Sequence, residues 1–248
     1  MATDAAAQWL YPEMPAGAVA VSTTRAGGVS AGCYAGLNLA DHVGDVPEAV
    51  ARNRAVLLRR LGCSRIQWLT QVHGRRCIRA SSRSTVAVPE ADAGWTDQPD
   101  LAVAVLTADC LPVVLCALDG TGIAVAHAGW RGLCAGLLSA TLECLPVAAN
   151  KVHAWVGPGI SANCYEVGDD VLRAAQHAHS HAPAFFSPAA EPGKYQFDLV
   201  GLARYELQQL GVREILGGDT CCASDRRFYS YRRDGVTGRM ATVAWLAR

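Results

Sequence analysis

Residues 107–132 read TADCLPVVLCALDGTGIAVAHAGWRG. Two apolar runs, PVVLCAL and GIAVAHA, flank Asp119-Gly120-Thr121-Gly122, a sequence that closes β-hairpins. Strands this apolar are built to be buried, yet Asp109, Cys110 and His127 stand at their ends. If the turn sets Leu118 opposite Ile123, then His127 falls opposite Val114 and Cys110 lies four residues further on. At about 3.3 Å per residue that is roughly 13 Å, too far for the thiol to meet the imidazole along a straight strand. Pro112 offers a bend: it has no N–H for the ladder and drives Leu111 toward an extended or turn conformation. A bend at Leu111-Pro112 folds Asp109 and Cys110 over the hairpin end that carries His127. The same end opens into Gly129-Trp130-Arg131-Gly132 and a helix N-terminus, where backbone N–H groups can hold an anion.

A second histidine fits this place. His73, in Thr70-Gln71-Val72-His73-Gly74, also ends a strand-like run before a glycine. Two imidazoles and a thiolate suit zinc, and three protein ligands with an open fourth position is the pattern of a catalytic site. The ligands are 37 and 17 residues apart and form no local motif, so packing of isolated buried His and Cys side chains explains the same residues on sequence grounds.

Elsewhere strands and helices alternate. Ala18 to Arg25 reads as a strand running into a glycine-rich loop, and IQWLTQVHG as another. Pro47 to Gly62 reads as a helix, with proline in its first turn, Val50, Leu57, Leu58 and Leu61 on one face and glycine at its end. Further helices are expected at about Leu133 to Leu145, from near Glu166, and over DLVGLARYELQQLG; KVHAWVGPG reads as a strand and the tail from Arg227 as two strands around a turn. The fold class is therefore α/β (α+β), with mixed sheets covered by helices. No linker or repeat divides the 248 residues, so 1–248 is expected to form a single domain.

Composition narrows the function. The 22 basic and 22 acidic side chains cancel, which argues against nucleic acid or an anionic membrane as partner. Only Lys151 and Lys194 are lysines; the remaining basic residues are arginines, the better fork for phosphate where one faces a cleft. The N-terminus lacks the pattern of a secretion signal, and no apolar run approaches the roughly 18 residues of a membrane span. A cytoplasmic setting is expected, where ten cysteines are reduced rather than a disulfide framework. Arg226 to Arg233 interleaves aromatics with arginines as single-strand binders do, but with zero net charge solvated arginines or a phosphate contact explain it better. His177 and His181 would share a face if their helix continued, forming a second metal pair; a polar helix end before Pro183 is the simpler reading.

Taken together, the blocks STTRAGGVSAGCYAGLNLADHVGDVPEAVARNR, WLTQVHG, TADCLPVVL, AHAGWRG, VGPGISANCYEVG, FDL and FYSYRRDGVTGRMATVAWL cover nearly the whole chain. In these blocks the sequence resembles the YfiH or laccase-domain family of purine nucleoside phosphorylases, once described as polyphenol oxidases. The resemblance implies a layered α/β/β/α fold and a metal site, usually taken as zinc, at His73, Cys110 and His127. It also implies phosphorolysis of adenosine, inosine or a methylthio analogue, with adenosine deamination as an added activity. The partners are then a purine nucleoside and phosphate. Asp45-Val46 and Cys33 depart from the family pattern without touching the three ligands.

Under that resemblance Asp109 is the candidate acid/base or orienting group, because the H-x-E with P-C-x-x-C signature of cytidine-type deaminases is missing. Arg25, Arg131 and Arg232 are candidates for phosphate, and Asn38, His42 and Tyr165 for polar contacts to the nucleoside. Three rival readings stand beside this one. Copper can occupy a His/Cys/His site, but a multicopper oxidase needs more imidazoles than seven histidines supply comfortably, and no H-C-H run occurs. Cys110 and His127 could instead form a nucleophile and base, a hydrolase or amidase of the kind that edits peptidoglycan precursors. A metal-binding module without turnover is the third. No heptad or continuous apolar stripe points to assembly, so a monomer is expected.

Overall fold

Every residue of the strands Leu101–Thr107, Leu111–Ala117 and Ile123–Ala128 is buried, a pattern that requires cover on both faces of their sheets. The computed structural model, which describes residues 9–82 and 88–247, supplies that cover by stacking two sheets and flanking them with helices. The N-terminal residues 1–8, part of the stretch read for a secretion signal, lie outside the described residues.

A four-stranded sheet runs Ala18–Ser22, Met240–Leu246, Leu101–Thr107, Arg65–Gln67, antiparallel except at the last pair. A six-stranded sheet runs Glu214–Gly217, Val152–Val156, Leu111–Ala117, Ile123–Ala128, Ala93–Thr96, Cys77–Arg79, antiparallel at its centre and parallel at both edge pairs. Val103, Val105 and Ala244 of the first pack against Val114, Cys116, Val125 and Trp155 of the second. Residues one step out of phase point outward, as strand alternation demands. Ala102, Ala104 and Val243 meet Leu57 and Leu61 of the helix Pro47–Leu61. Val113, Leu115 and Ala126 meet Leu133, Leu137, Leu138, Leu202 and Leu207 of the helices on the other side. The layers are thus α/β/β/α. A small antiparallel sheet of Phe186–Pro188, Lys194–Phe197 and Glu166–Gly168 forms a third sheet.

The helix Pro47–Leu61 ends where expected, with Gly62 in the left-handed region at φ 68°. Leu199–Gln209 is capped by Asp198, whose carboxylate accepts the Gly201 N–H at 2.8 Å.

Other expectations need correction. Cys116, not Leu118, faces Ile123, so Pro112 stands opposite His127. The reason lies in the turn: Leu118 donates its N–H to Lys151 rather than to the ladder, and Asp119 accepts from Thr121. The slip is two residues, which keeps every side chain on its face and brings His127 closer to Cys110. Pro112 does not bend the chain. The His127 N–H points to the Asp92 carbonyl on the opposite side, so the pair needs no N–H from Pro112; the bend falls at Asp109, with φ 94°. The expected helix Leu133 to Leu145 is two, Trp130–Cys134 and Leu137–Cys144, parted by Gly136 at φ 81°. Near Glu166 a strand comes first and the helix starts at Asp169, with two aspartates in its first turn. IQWLTQVHG is a strand only at its start, within Arg65–Gln67, and pairs again only at a single bridge between Thr70 and Glu90. In the tail only Met240–Leu246 is a strand: consecutive Phe228 and Tyr229 are both buried, which no half-exposed strand allows, and Tyr231–Asp234 is a helical turn. The helix ends at Ala178, so His177 and His181 never share a face.

Candidate metal centre and cleft

His127 is the next-to-last residue of its strand and is held at two points by one residue, Asp92. Its N–H donates to the Asp92 carbonyl at 2.7 Å, and its Nδ1 lies 2.9 Å from Asp92 Oδ1. The same fully buried carboxylate accepts the N–H groups of Val72 (3.1 Å), His73 (2.9 Å) and Gly74 (2.7 Å). Those bonds hold His73 at φ 60°, a backbone state that costs a residue with a side chain about 1 kcal/mol or more. Burial pushes the Asp92 carboxyl up, and the hydrogen bonds from His127 and from the Gly74 and Val72 backbone outweigh it and hold it below its ordinary value. Gln71 fastens the same loop to the end of a central strand, donating to the Leu106 carbonyl at 2.8 Å and accepting the Leu106 N–H at 2.7 Å.

Cys110 follows the bend at Asp109, and its Sγ lies 4.0 Å from His73 Nε2. The His73 and His127 rings meet edge-on with centroids 4.8 Å apart, and one donor atom from each of His73, Cys110 and His127 falls within 4.8 Å of the others. Gly129 closes the floor: a Cβ there would stand 2.8 Å from Cys110 Sγ and 3.3 Å from His73 Cδ2. Burial alone would raise the Cys110 thiol, but the charge of His127 and hydrogen bonds from both imidazoles draw it well below the ordinary value. For His127, burial opposes protonation, while the charges and hydrogen bonds of Cys110 and Asp92 raise its pKa. A thiolate beside two imidazoles, one oriented by a carboxylate through its other nitrogen, is a donor set that fits a zinc-class ion.

The cluster opens into a cleft of about 490 Å³. Of the residues expected there, His42, Asp109, Arg131, Tyr165 and Arg232 line it. Two expected contacts do not. Arg25 stacks on the Tyr229 ring with its guanidinium carbon 4.9 Å from the centroid, and donates to the Ala35 carbonyl. Asn38 is fully buried and clamps its own loop, bonding Ala40, Asp45 and the Arg239 N–H. The Asp109 Oδ2 accepts the Arg232 N–H at 2.7 Å, Oδ1 has no hydrogen-bond partner, and burial raises the carboxyl. Arg232 also donates to the Glu166 carbonyl and lies over the Tyr165 ring.

Asp92, Gln71, Trp130, Tyr231 and Arg239 complete the centre and cleft and were not foreseen. For Asp92 a signal existed: an aspartate inside the apolar run Ala91 to Trp95 is the same anomaly as His127 in its own run. Arg239 comes from the tail, where the expected turn between strands disguised its direction.

The family described as "Multi-copper polyphenol oxidoreductase laccase" matches residues 19–247. A protein of Pseudomonas aeruginosa named purine nucleoside phosphorylase is 46% identical over 241 residues, 96% of this chain and 98% of its own. The Escherichia coli purine nucleoside phosphorylase YfiH is 43% identical over 96% of this chain and 97% of its own. Among solved structures, a Neisseria meningitidis protein superposes with a TM-score of 0.92 at 43% identity, covering 97% of this chain and 99% of that one. YlmD of Geobacillus stearothermophilus gives 0.87 at 32% identity, covering 97% and 96%.

Proposed function

Since the chain belongs to the laccase-domain (YfiH) family, we propose that it is a purine nucleoside phosphorylase whose cleft holds a nucleoside beside phosphate, next to a metal ion. One observation carries this reading: a two-imidazole, one-thiol donor set and the arginines Arg131, Arg232 and Arg239 line one cleft. Aromatic Trp130, Tyr165 and Tyr231 in the same walls suit a flat heterocycle, and arginine forks suit phosphate.

Phosphorolysis breaks the C–N bond between sugar and base and forms a C–O bond to phosphate, releasing free purine and ribose 1-phosphate. Its main requirement is placement of the phosphate in line with the anomeric carbon, the role assigned to the arginines. Asp109 is the proton donor to the departing base: burial favours its protonated form, and Oδ1 is the atom left free to hold that proton. His42 and Tyr165 are contacts for the nucleoside. His73, Cys110 and His127 would hold zinc, with copper as the competing ion, and Asp92 would fix the orientation of His127 toward it. Bound zinc supplies a Lewis acid and lowers the pKa of coordinated water, which extends the same site to adenosine deamination. Among the described residues no helix is long and apolar enough to cross a membrane. The setting proposed is the cytoplasm, with the chain acting as a monomer.

A second reading has its own observation. The lowered Cys110 thiol and raised His127 imidazole also describe a nucleophile and base that need no metal. Incubation of adenosine and inosine with and without phosphate, followed by chromatography, separates the two. Phosphate-dependent release of base supports phosphorolysis; no release by metal-replete protein would refute it and turn attention to amide hydrolysis that survives a chelator.

A further inference from the structure

Glu206 occupies the wrong kind of position for a carboxylate. On the helix Leu199–Gln209 the buried residues are Leu199, Leu202, Ala203, Glu206 and Leu207, so Glu206 sits on the core stripe, 6% exposed. Its Oε1 is buried without a hydrogen bond, and burial pushes its carboxyl up to about 8. Two histidines from beyond the end of the helix Asp169–Ala178 face it. His179 Nε2 is 3.1 Å from Glu206 Oε1, though not aligned as a hydrogen bond, and 3.3 Å from the Leu133 carbonyl oxygen. His181 Nε2 is buried with no partner at all, its ring 4.3 Å from that of Tyr205 and 5.5 Å from that of His179. The turn is fixed by its own backbone, His179 N–H to Ala175 and Ala182 N–H to the His179 carbonyl.

Burying a carboxyl oxygen that has no aligned hydrogen bond and an imidazole nitrogen that has none is unfavourable. A cation between them would satisfy both at once. One donor atom from each of His179, His181 and Glu206 falls within 4.8 Å of the others. Two imidazoles and a carboxylate form a recurrent zinc donor set, and the Leu133 carbonyl adds a fourth donor atom beside His179.

We propose that His179, His181 and Glu206 form a second site for a divalent transition-metal ion of the zinc class, distinct from the His73, Cys110 and His127 centre. The site joins three helices. Leu133 belongs to Trp130–Cys134, whose Trp130 and Arg131 line the cleft, so an ion here fastens the cleft wall to the helices behind it. It contains no thiolate, which makes it spectroscopically separable from the first.

The test is metal counting on the full chain after equilibrium dialysis against zinc, repeated with cobalt, for the unmodified protein and for Glu206→Gln, His181→Ala and Cys110→Ala. The unmodified chain should hold two ions and each variant one. With cobalt, the thiolate charge-transfer absorption should persist in Glu206→Gln and His181→Ala and vanish in Cys110→Ala, assigning each lost ion to its site. Cys110→Ala disables the first centre and leaves the second, so zinc should also raise the melting temperature of Cys110→Ala but not of Cys110→Ala combined with His181→Ala. A Glu206→Gln chain that binds as many ions as the unmodified one overturns the proposal. So does an unmodified chain whose single ion carries the full thiolate absorption.

Discussion

Replacing Asp92 by Asn changes one oxygen to an NH₂ at constant shape, at the point that positions both candidate histidine ligands. Oδ1 serves the His73 N–H and His127 Nδ1, while Oδ2 serves the Val72 and Gly74 N–H groups. An amide has one oxygen, so whichever way it turns, two of these four donors face an NH₂. At about 1.5–3 kcal/mol for each hydrogen bond to a charged group, the loss is about 3–6 kcal/mol before relaxation. The sign with pH follows from the lowered Asp92 carboxyl: its stabilisation is present above the unfolded value near 4 and is lost as pH falls through the folded one. The difference between the two proteins should therefore be full at pH 7 and shrink below about pH 4. Metal affinity at the His73 centre should fall about 10–100-fold, since the group orienting His127 has lost its charge. Denaturant unfolding of the metal-free chains measures the first effect and competition with a chromophoric chelator the second. An Asp92→Asn chain within about 0.5 kcal/mol of the original, with unchanged metal affinity, would refute the assignment of Asp92 as organiser of the centre.

Gly129→Ala should cost about 1–3 kcal/mol and weaken metal binding, because the added Cβ meets Cys110 Sγ at 2.8 Å; calorimetry and chelator competition read both. Arg131→Ala should raise KM for phosphate about tenfold, near 1.4 kcal/mol, with a smaller change for nucleoside; equal effects on both substrates would argue against a phosphate contact. Cys221 should alkylate with a midpoint near pH 6 rather than the 8.5 of an ordinary thiol: burial raises its pKa, but bonds from Ser161 and Ser224 lower it to about 6. Mass spectrometry after iodoacetamide at a series of pH values gives the profile, and a rate still climbing above pH 8 would contradict it.

The hairpin, the two all-buried runs and the helix Pro47–Leu61 were legible because their signals are local: turn residues, apolar runs and caps. The layering was not, since period-two alternation says that Val113 and Val114 face opposite ways without saying what covers each; it came from resemblance. His73, Cys110 and His127 were individually visible as polar residues ending apolar runs. Their meeting depended on a two-residue slip in hairpin register and on a left-handed Asp109, neither of which composition reveals. The tail misled for a physical reason: Phe228 and Tyr229 have strand-like propensity, but both are drawn into the interior as plugs. That same chain reversal carries Arg232 and Arg239 to the cleft. Arg25 and Asn38, read as contacts, instead hold the loop beside it.

The most direct test strips the chain of metal with a chelator, restores cobalt in steps, and follows two signals together: the thiolate charge-transfer absorption and phosphate-dependent release of base from adenosine and inosine. The account predicts that activity returns in proportion to that absorption, and that Cys110→Ala recovers neither. Full phosphorolysis by the stripped protein, or activity in Cys110→Ala equal to that of the unmodified chain, would contradict it.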